Sequence, residues 1–140
     1  MVGLHAKLYD GSYHAVDSSE MAFKTAARIA YKKGCMEASP VLLEPIMHVE
    51  VFVPDEYMGD VMGDMNKRRG RIMGMDPLDG LQRVTAEAPM GEMFKYATDL
   101  RSMTQARGSF TMSFERYEEM PADAAKKIIE NAQKDEDEEE

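Results

Sequence analysis

An α+β fold is predicted by three observations. Apolar residues alternate with polar ones at Met47/Val49/Val51/Val53, Val84/Ala86/Ala88 and Phe110/Met112/Phe114, the period of strands covered on one face. Between these runs, Tyr57, Met58, Val61, Met62 and Met65, and then Met93, Phe94, Tyr96, Ala97, Leu100, Met103 and Thr104, recur at helical spacing and share one side of a helical wheel. Proline, glycine and aspartate separate the segments where turns are needed. With a further short strand at 71–75, the order becomes strand–helix–strand–strand–helix–strand over about 80 residues, the split βαβ or ferredoxin-like plan. A strand–loop–helix piece precedes this sandwich and a terminal helix follows it.

Taken in order, Leu4, Ala6 and Leu8 alternate with His5, Lys7 and Tyr9 and read as a strand. Asp10-Gly11-Ser12 signals a tight turn. Asp17-Ser18-Ser19-Glu20 has the form of a capping box and places a helix start there; Met21, Ala22, Thr25, Ala26, Ile29 and Ala30 continue it to a stop near Gly34. One strand and one helix cannot cover each other's apolar sides, so this segment reads as a piece of a domain whose other strands lie elsewhere.

Met47 to Val53 is the first strand of the sandwich, and Pro54-Asp55 opens a helix that ends in Lys67-Arg68-Arg69-Gly70. Arg71 to Met75 is a strand, Pro77-Leu78-Asp79-Gly80 a turn, and Val84 to Ala88 the next strand. The helix from Met93 ends before Arg107-Gly108, with Thr98, Ser102 and Gln105 on its polar side and Arg101 at the border. Phe110 to Phe114 is the last strand; Pro121-Ala122 starts a helix with Ala125, Ile128, Ile129 and Ala132 on its apolar side.

The 140 residues carry a formal net charge of -9, of which six charges sit in Asp135–Glu140, leaving -3 for the rest. That tail is expected to be solvated and disordered, and the mildly acidic body argues against broad, nonspecific nucleic-acid binding. Cys35, the lone cysteine, excludes an intrachain disulfide and a thiolate metal cluster, and is expected to be a small buried apolar residue. The 14 methionines are expected to fill core gaps, as at Met58, Met62 and Met65. No leader and no apolar run near about 18 residues is present, so a soluble, cytoplasmic chain with no membrane contact is expected.

Fold alone decides no function. An RNA reader that stacks bases on its sheet needs aromatic rings there, whereas the open face predicted here shows Glu50, Thr85, Glu87, Thr111, Ser113 and Glu115. No Gly-x-x-x-x-Gly-Lys-Ser/Thr run exists, the only asparagines are Asn66 and Asn131, and His5, His14 and His48 are scattered; no catalytic or metal-ligating constellation emerges. The helical side is more promising. Gly59 and Gly63 lie four apart, opposite the Met stripe, and Lys67, Arg68, Arg69 and Arg71 form the densest basic cluster. With Arg101, Ser102, Gln105 and Arg107, that cluster has the chemistry to grip folded RNA by phosphate and shape, although such a run also caps a helix C-terminus. The residues alone leave open a stand-alone acidic α/β module that binds a protein or small ligand.

Longer motifs narrow the choice. Tyr9-Asp10-Gly11-Ser12-Tyr13-His14-Ala15-Val16-Asp17-Ser18-Ser19-Glu20-Met21-Ala22-Phe23-Lys24 resembles the end of domain IV of bacterial translation elongation factor G. Pro40-Val41-Leu42-Leu43-Glu44-Pro45-Ile46-Met47, Gly59-Asp60-Val61-Met62-Gly63-Asp64, Arg68-Arg69-Gly70, Glu92-Met93-Phe94 and Tyr96-Ala97-Thr98-Asp99-Leu100-Arg101-Ser102 are similar to its domain V.

The resemblance implies a domain IV remnant at 1–39, domain V at 40–120, and a terminal helix with an acidic tail at 121–140. It implies a noncatalytic part of a GTP-dependent ribosomal translocase, with GTP and Mg2+ belonging to the full-length relatives and no cofactor to this stretch. Gly11, Ser12, Tyr13 and His14 would contact tRNA and mRNA in the decoding region. Arg101, Ser102 and Gln105 would face ribosomal RNA, joined on the reading of charge above by Arg107, Lys67, Arg68 and Arg69, with the sarcin-ricin loop, the stalk-base RNA and protein, and other domains of the same factor as partners. Three features depart from the family: His48 in place of lysine, Ala106 in place of a common glycine, and a longer acidic tail.

Overall fold

The computed structural model describes residues 1–139. By its internal contacts the chain forms two units, Met1–Pro40 and Val41–Glu140.

In the first unit, helix α1 spans Glu20–Glu37. Its N-cap is Ser19, whose Oγ accepts from the Ala22 N–H at 3.1 Å, rather than the predicted Asp17. The helix passes through Gly34, the predicted stop, and is capped at Ala38. The Ala38 N–H reaches the Gly34 carbonyl, so a lone glycine inside a hydrogen-bonded turn does not end it. Leu4 to Tyr9 forms no strand. The alternation is real, yet nothing in the unit offers an edge to pair with, and Leu8 stands fully in the open. The predicted turn at Asp10-Gly11-Ser12 also moves: the chain turns at 15–17, where the His14 N–H donates to Ser18 Oγ and the Ser18 N–H to the His14 carbonyl. No residue of α1 is buried, and Cys35 is half-exposed instead of buried.

The second unit is the predicted sandwich. Strands β1 (Leu43–Val53), β2 (Arg71–Leu78), β3 (Leu81–Pro89) and β4 (Ser109–Glu119) form an antiparallel sheet in the order β2-β3-β1-β4. A 3-10 turn at Asp55–Tyr57 leads into α2 (Met58–Lys67). Another at Met90–Met93 precedes α3 (Tyr96–Met103), and α4 (Ala122–Glu139) ends the unit. Both strand-to-helix crossovers bring α2 and α3 onto one sheet face. There Val49, Val51 and Val53 meet Val84, Ala86 and Ala88, and Val61, Met65, Met93, Tyr96 and Leu100 close the core from the helices. Of the predicted methionine fillers only Met65 is fully buried; Met58 and Met62 pack at its margin.

Three local details depart from the sequence reading. Strand β2 runs to Leu78, and the hairpin turns on Asp79 and Gly80 alone, both at positive φ (50° and 81°) as a twist-matched two-residue turn requires. In β4 the register steps from Met47↔Phe114 to Ile46↔Arg116, so Glu115 is a bulge and Arg116 takes the open face in its place. Helix α4 continues through Asp135 as far as Glu139, where a disordered tail is predicted: glutamate propagates a helix already nucleated upstream. Glu140 lies outside the described residues.

Tyr96 sits at the centre of the helix–sheet seam. Its ring meets Phe110 edge-on at 4.9 Å and lies 5.0 Å below the Arg68 guanidinium carbon. Its hydroxyl is buried with no hydrogen-bond partner among the described residues, and burial, aided by Asp64, pushes the phenol well above its ordinary range. Removing an unpaired buried hydroxyl relieves its desolvation cost, so Tyr96→Phe is expected to be neutral or stabilising by about 1 kcal/mol. A phenol raised in the folded state contributes stability that is complete below pH 10 and is lost as pH climbs toward the folded value. The variant should therefore flatten the alkaline fall in urea-unfolding free energy; an unchanged alkaline slope would remove Tyr96 as its source.

Candidate nucleic-acid interface

The α3 flank is built from its buried side outward. Tyr96 and Leu100 anchor the helix, and Thr104 locks its end: Thr104 Oγ1 donates to the Leu100 carbonyl at 2.6 Å and accepts the Gly108 N–H at 2.9 Å. Beyond the cap, Gln105 and Ala106 both adopt left-handed conformations (φ 51° and 63°), and the Ala106 N–H returns to the Arg101 carbonyl at 2.8 Å. That bond closes a Schellman-type end without the usual glycine. Because the backbone is tied down on its inner side, Thr98, Arg101, Ser102 and Gln105 are all exposed outside. Arg101, Ser102 and Gln105 make no side-chain hydrogen bond or ion pair among the described residues.

The predicted basic residues divide sharply. Arg68 is only 12% exposed and is consumed by the fold. It donates to Asp64 at 2.8 Å, to Asp99, to the Glu92 carbonyl at 2.7 Å and to the Phe94 carbonyl at 3.4 Å. Burial works against its charge, but the bonds to Asp64 and Asp99 more than compensate and raise its pKa. Arg69, at φ 58°, grips the buried Glu44 through both nitrogens at 3.0 and 2.9 Å and also reaches Glu92. Both arginines commit their charge to carboxylates that the fold brings close, Arg68 from a nearly buried position and Arg69 from an exposed one. Arg107 stands between the classes, paired with Glu56 at 2.7 Å and lying 4.9 Å over the Tyr57 ring. Lys67 is exposed without an ion pair among the described residues.

Sequence reasoning missed the corner before α3. The predicted continuous helix from Met93 breaks at Lys95, which is left-handed (φ 60°), so Phe94 swings out of the apolar side and is 75% exposed. No residue type in the run announces this, because lysine seldom adopts that conformation.

The opposite, open sheet face is a field of paired charges. Arg116 holds Glu87 through two bonds of 2.9 and 2.8 Å, and Arg83 binds Asp76 at 2.6 Å. Hydrogen bonds from Arg116, with help from Arg71 and His48, keep the Glu87 carboxyl below the usual carboxylate range. A cleft of about 260 Å3 beside them is lined by Glu44, Arg69, Arg71, Glu87 and Arg116, whose charges are largely matched internally. Among the described residues no three metal-ligating side chains converge, and no helix is long and apolar enough to cross a membrane. Gly59 and Gly63 face open space on α2. Gly11, Ser12, Tyr13 and His14 lie exposed in the first unit, apart from the α3 flank in sequence and in unit.

Comparison with known proteins matches both units. A family model described as elongation factor G C-terminus covers residues 41–128, and one described as elongation factor G, domain IV, covers residues 1–39. The chain is also similar to a crystal structure of a protein from Thermus thermophilus, with 47% identity and a TM-score of 0.72. That likeness covers 89% of this chain and 19% of the other, so the chain spans about a fifth of its relative's length.

Proposed function

The chain belongs to the elongation factor G family, and on that premise we propose that it is a noncatalytic, ribosome-binding part of a GTP-dependent translocation factor acting in the cytoplasm. The observation that carries this reading is the uncommitted group of Arg101 and Ser102 on α3 and Gln105 just past its cap, where Asp99 and Glu92 are already paired. Guanidinium, hydroxyl and amide groups held on a rigid helix fit phosphate and sugar edges of folded RNA. Arg68 and Arg69 serve that surface indirectly, by neutralising Asp64, Asp99 and Glu92. Lys67 extends it as a point charge, and Arg107 borders it through a guanidinium shared with Glu56. The partners are the sarcin-ricin loop and the stalk-base RNA and protein. Gly11, Ser12, Tyr13 and His14 meet the tRNA–mRNA pair at the decoding region.

In this reading GTP and Mg2+ belong to the full-length relatives, since the phosphate-binding glycine-lysine run does not occur in this sequence. The chain's work is mechanical: it holds position on the ribosome while the moved tRNA–mRNA is stabilised.

Arg101→Ala is expected to weaken competition binding to purified large ribosomal subunits about tenfold and to lower the salt slope by about 1, with the melting temperature unchanged. Equal binding, or a clear loss of melting temperature, would assign Arg101 to the fold and overturn the reading.

A further inference from the structure

Phe94 and Lys95 form an exposed corner that no role has yet absorbed. The Phe94 ring is 75% exposed, and Lys95 Nζ lies 5.7 Å from its centroid. An apolar ring in solvent gains nothing for the fold, and Lys95 is held in a left-handed conformation (φ 60°) that costs an L-residue energy. The corner is nevertheless rigid. Arg68 donates to the Glu92 and Phe94 carbonyls from within its own ion-pair network, and the Lys95 carbonyl accepts the Thr98 and Asp99 N–H groups in the first turn of α3. A costly conformation clamped in place, displaying a ring and an ammonium together, points to recognition.

We propose that Phe94 and Lys95 are a nucleotide-docking point, Phe94 stacking on an unpaired base of the RNA and Lys95 meeting the adjoining phosphate. The proposal rests on the ribosome-binding reading above and names a contact within it. Charge favours RNA as the occupant. Asp64, Asp99 and Glu92 around the corner are paired to Arg68 and Arg69, while Lys67 and Arg101 make no ion pair among the described residues. Lys95 sits at the start of α3, whose exposed side carries Thr98 and Ser102 four residues apart, so one strand has polar groups to follow from phosphate contact to base contact. Aromatic stacking with a neighbouring cation is how proteins hold unpaired bases without reading their sequence.

The chain contains no tryptophan, so Phe94→Trp places a single indole at the corner, which can be excited selectively over the six tyrosines. Titration with purified large ribosomal subunits, and with their deproteinised RNA, is expected to quench its emission in both arms, as a stacked base does. Phe94→Leu, which keeps an apolar group but no ring, should bind about tenfold more weakly at unchanged melting temperature. Lys95→Gly removes the cation and relaxes φ; it should bind more weakly with a salt slope lower by about 1, while melting at the same or a higher temperature. Full binding by Phe94→Leu, or a blue-shifted and unquenched tryptophan that marks burial against protein, overturns the proposal. If Arg101→Ala weakens binding while both corner variants bind normally, only the corner assignment falls. If none of the three changes matters, or the chain does not bind, the underlying reading falls with it.

Discussion

Arg68→Ala is expected to destabilise the second unit by about 3 kcal/mol, within the range for removing one partner from a buried charge network. A single guanidinium there satisfies two carboxylates and two backbone carbonyls and covers the Tyr96 ring. Alanine leaves Asp64 and Asp99 facing each other's field without a counter-charge and frees the Glu92–Phe94 backbone. Lysine restores the charge but not the fork that reaches four acceptors, so Arg68→Lys should recover less than half of the loss. Urea unfolding followed by circular dichroism, with hydrogen exchange at the β1 amides to isolate this unit, measures both. A loss below about 1 kcal/mol, typical of an exposed pair, would show that the network contributes little. The same variant should bind RNA worse even where it remains folded, because two carboxylates return to the flank that Arg101 occupies.

That split between Arg68 and Arg101 marks the limit of what the sequence discloses. The strands and both helices of the sandwich were legible because alternation at Met47–Val53 and helical spacing at Val61 and Met65 are imposed by one shared core. Which arginine is consumed was not legible, since Asp99 and the Glu92 carbonyl come to Arg68 only through the packing of α3 against α2. Bulges are equally silent. The extra residue at Glu115 exchanges the faces of everything after it, bringing Arg116 onto the open face where it reaches Glu87 across β1. The run from Leu4 to Tyr9 shows the converse error: a strand pattern was present, but strand formation needs a partner and the first unit supplies none. At the candidate interface, Arg101, Ser102 and Gln105 followed from the helical wheel, whereas Phe94 depended on a left-handed lysine that local propensity disfavours.

Gly70→Ala is expected to destabilise the same unit by about 2–3 kcal/mol through overpacking. The end of α2 explains why. Arg69 takes the left-handed position, its N–H bonds the Asn66 carbonyl at 3.2 Å, and the Gly70 N–H bonds the Met65 carbonyl at 2.9 Å. This is a complete Schellman motif in which arginine occupies the place glycine usually holds. Arginine is kept there because its side chain neutralises the buried Glu44. Glycine is needed one residue later for a different reason, close approach: a Cβ on Gly70 would lie 2.6 Å from Met65 Cγ and 2.8 Å from the Met65 carbonyl oxygen. Met65 is fully buried and its carbonyl is fixed in the cap, so neither can yield cheaply. A double-mutant cycle with Met65→Ala separates the two contacts. Removing Cγ and the atoms beyond it should relieve part of the strain, so the double variant should be more stable than the sum of the single losses predicts, while the clash with the carbonyl oxygen persists. Strict additivity would mean that the alanine is accommodated by shifting the β2 start, and the cap would then be far more pliable than its hydrogen bonds imply.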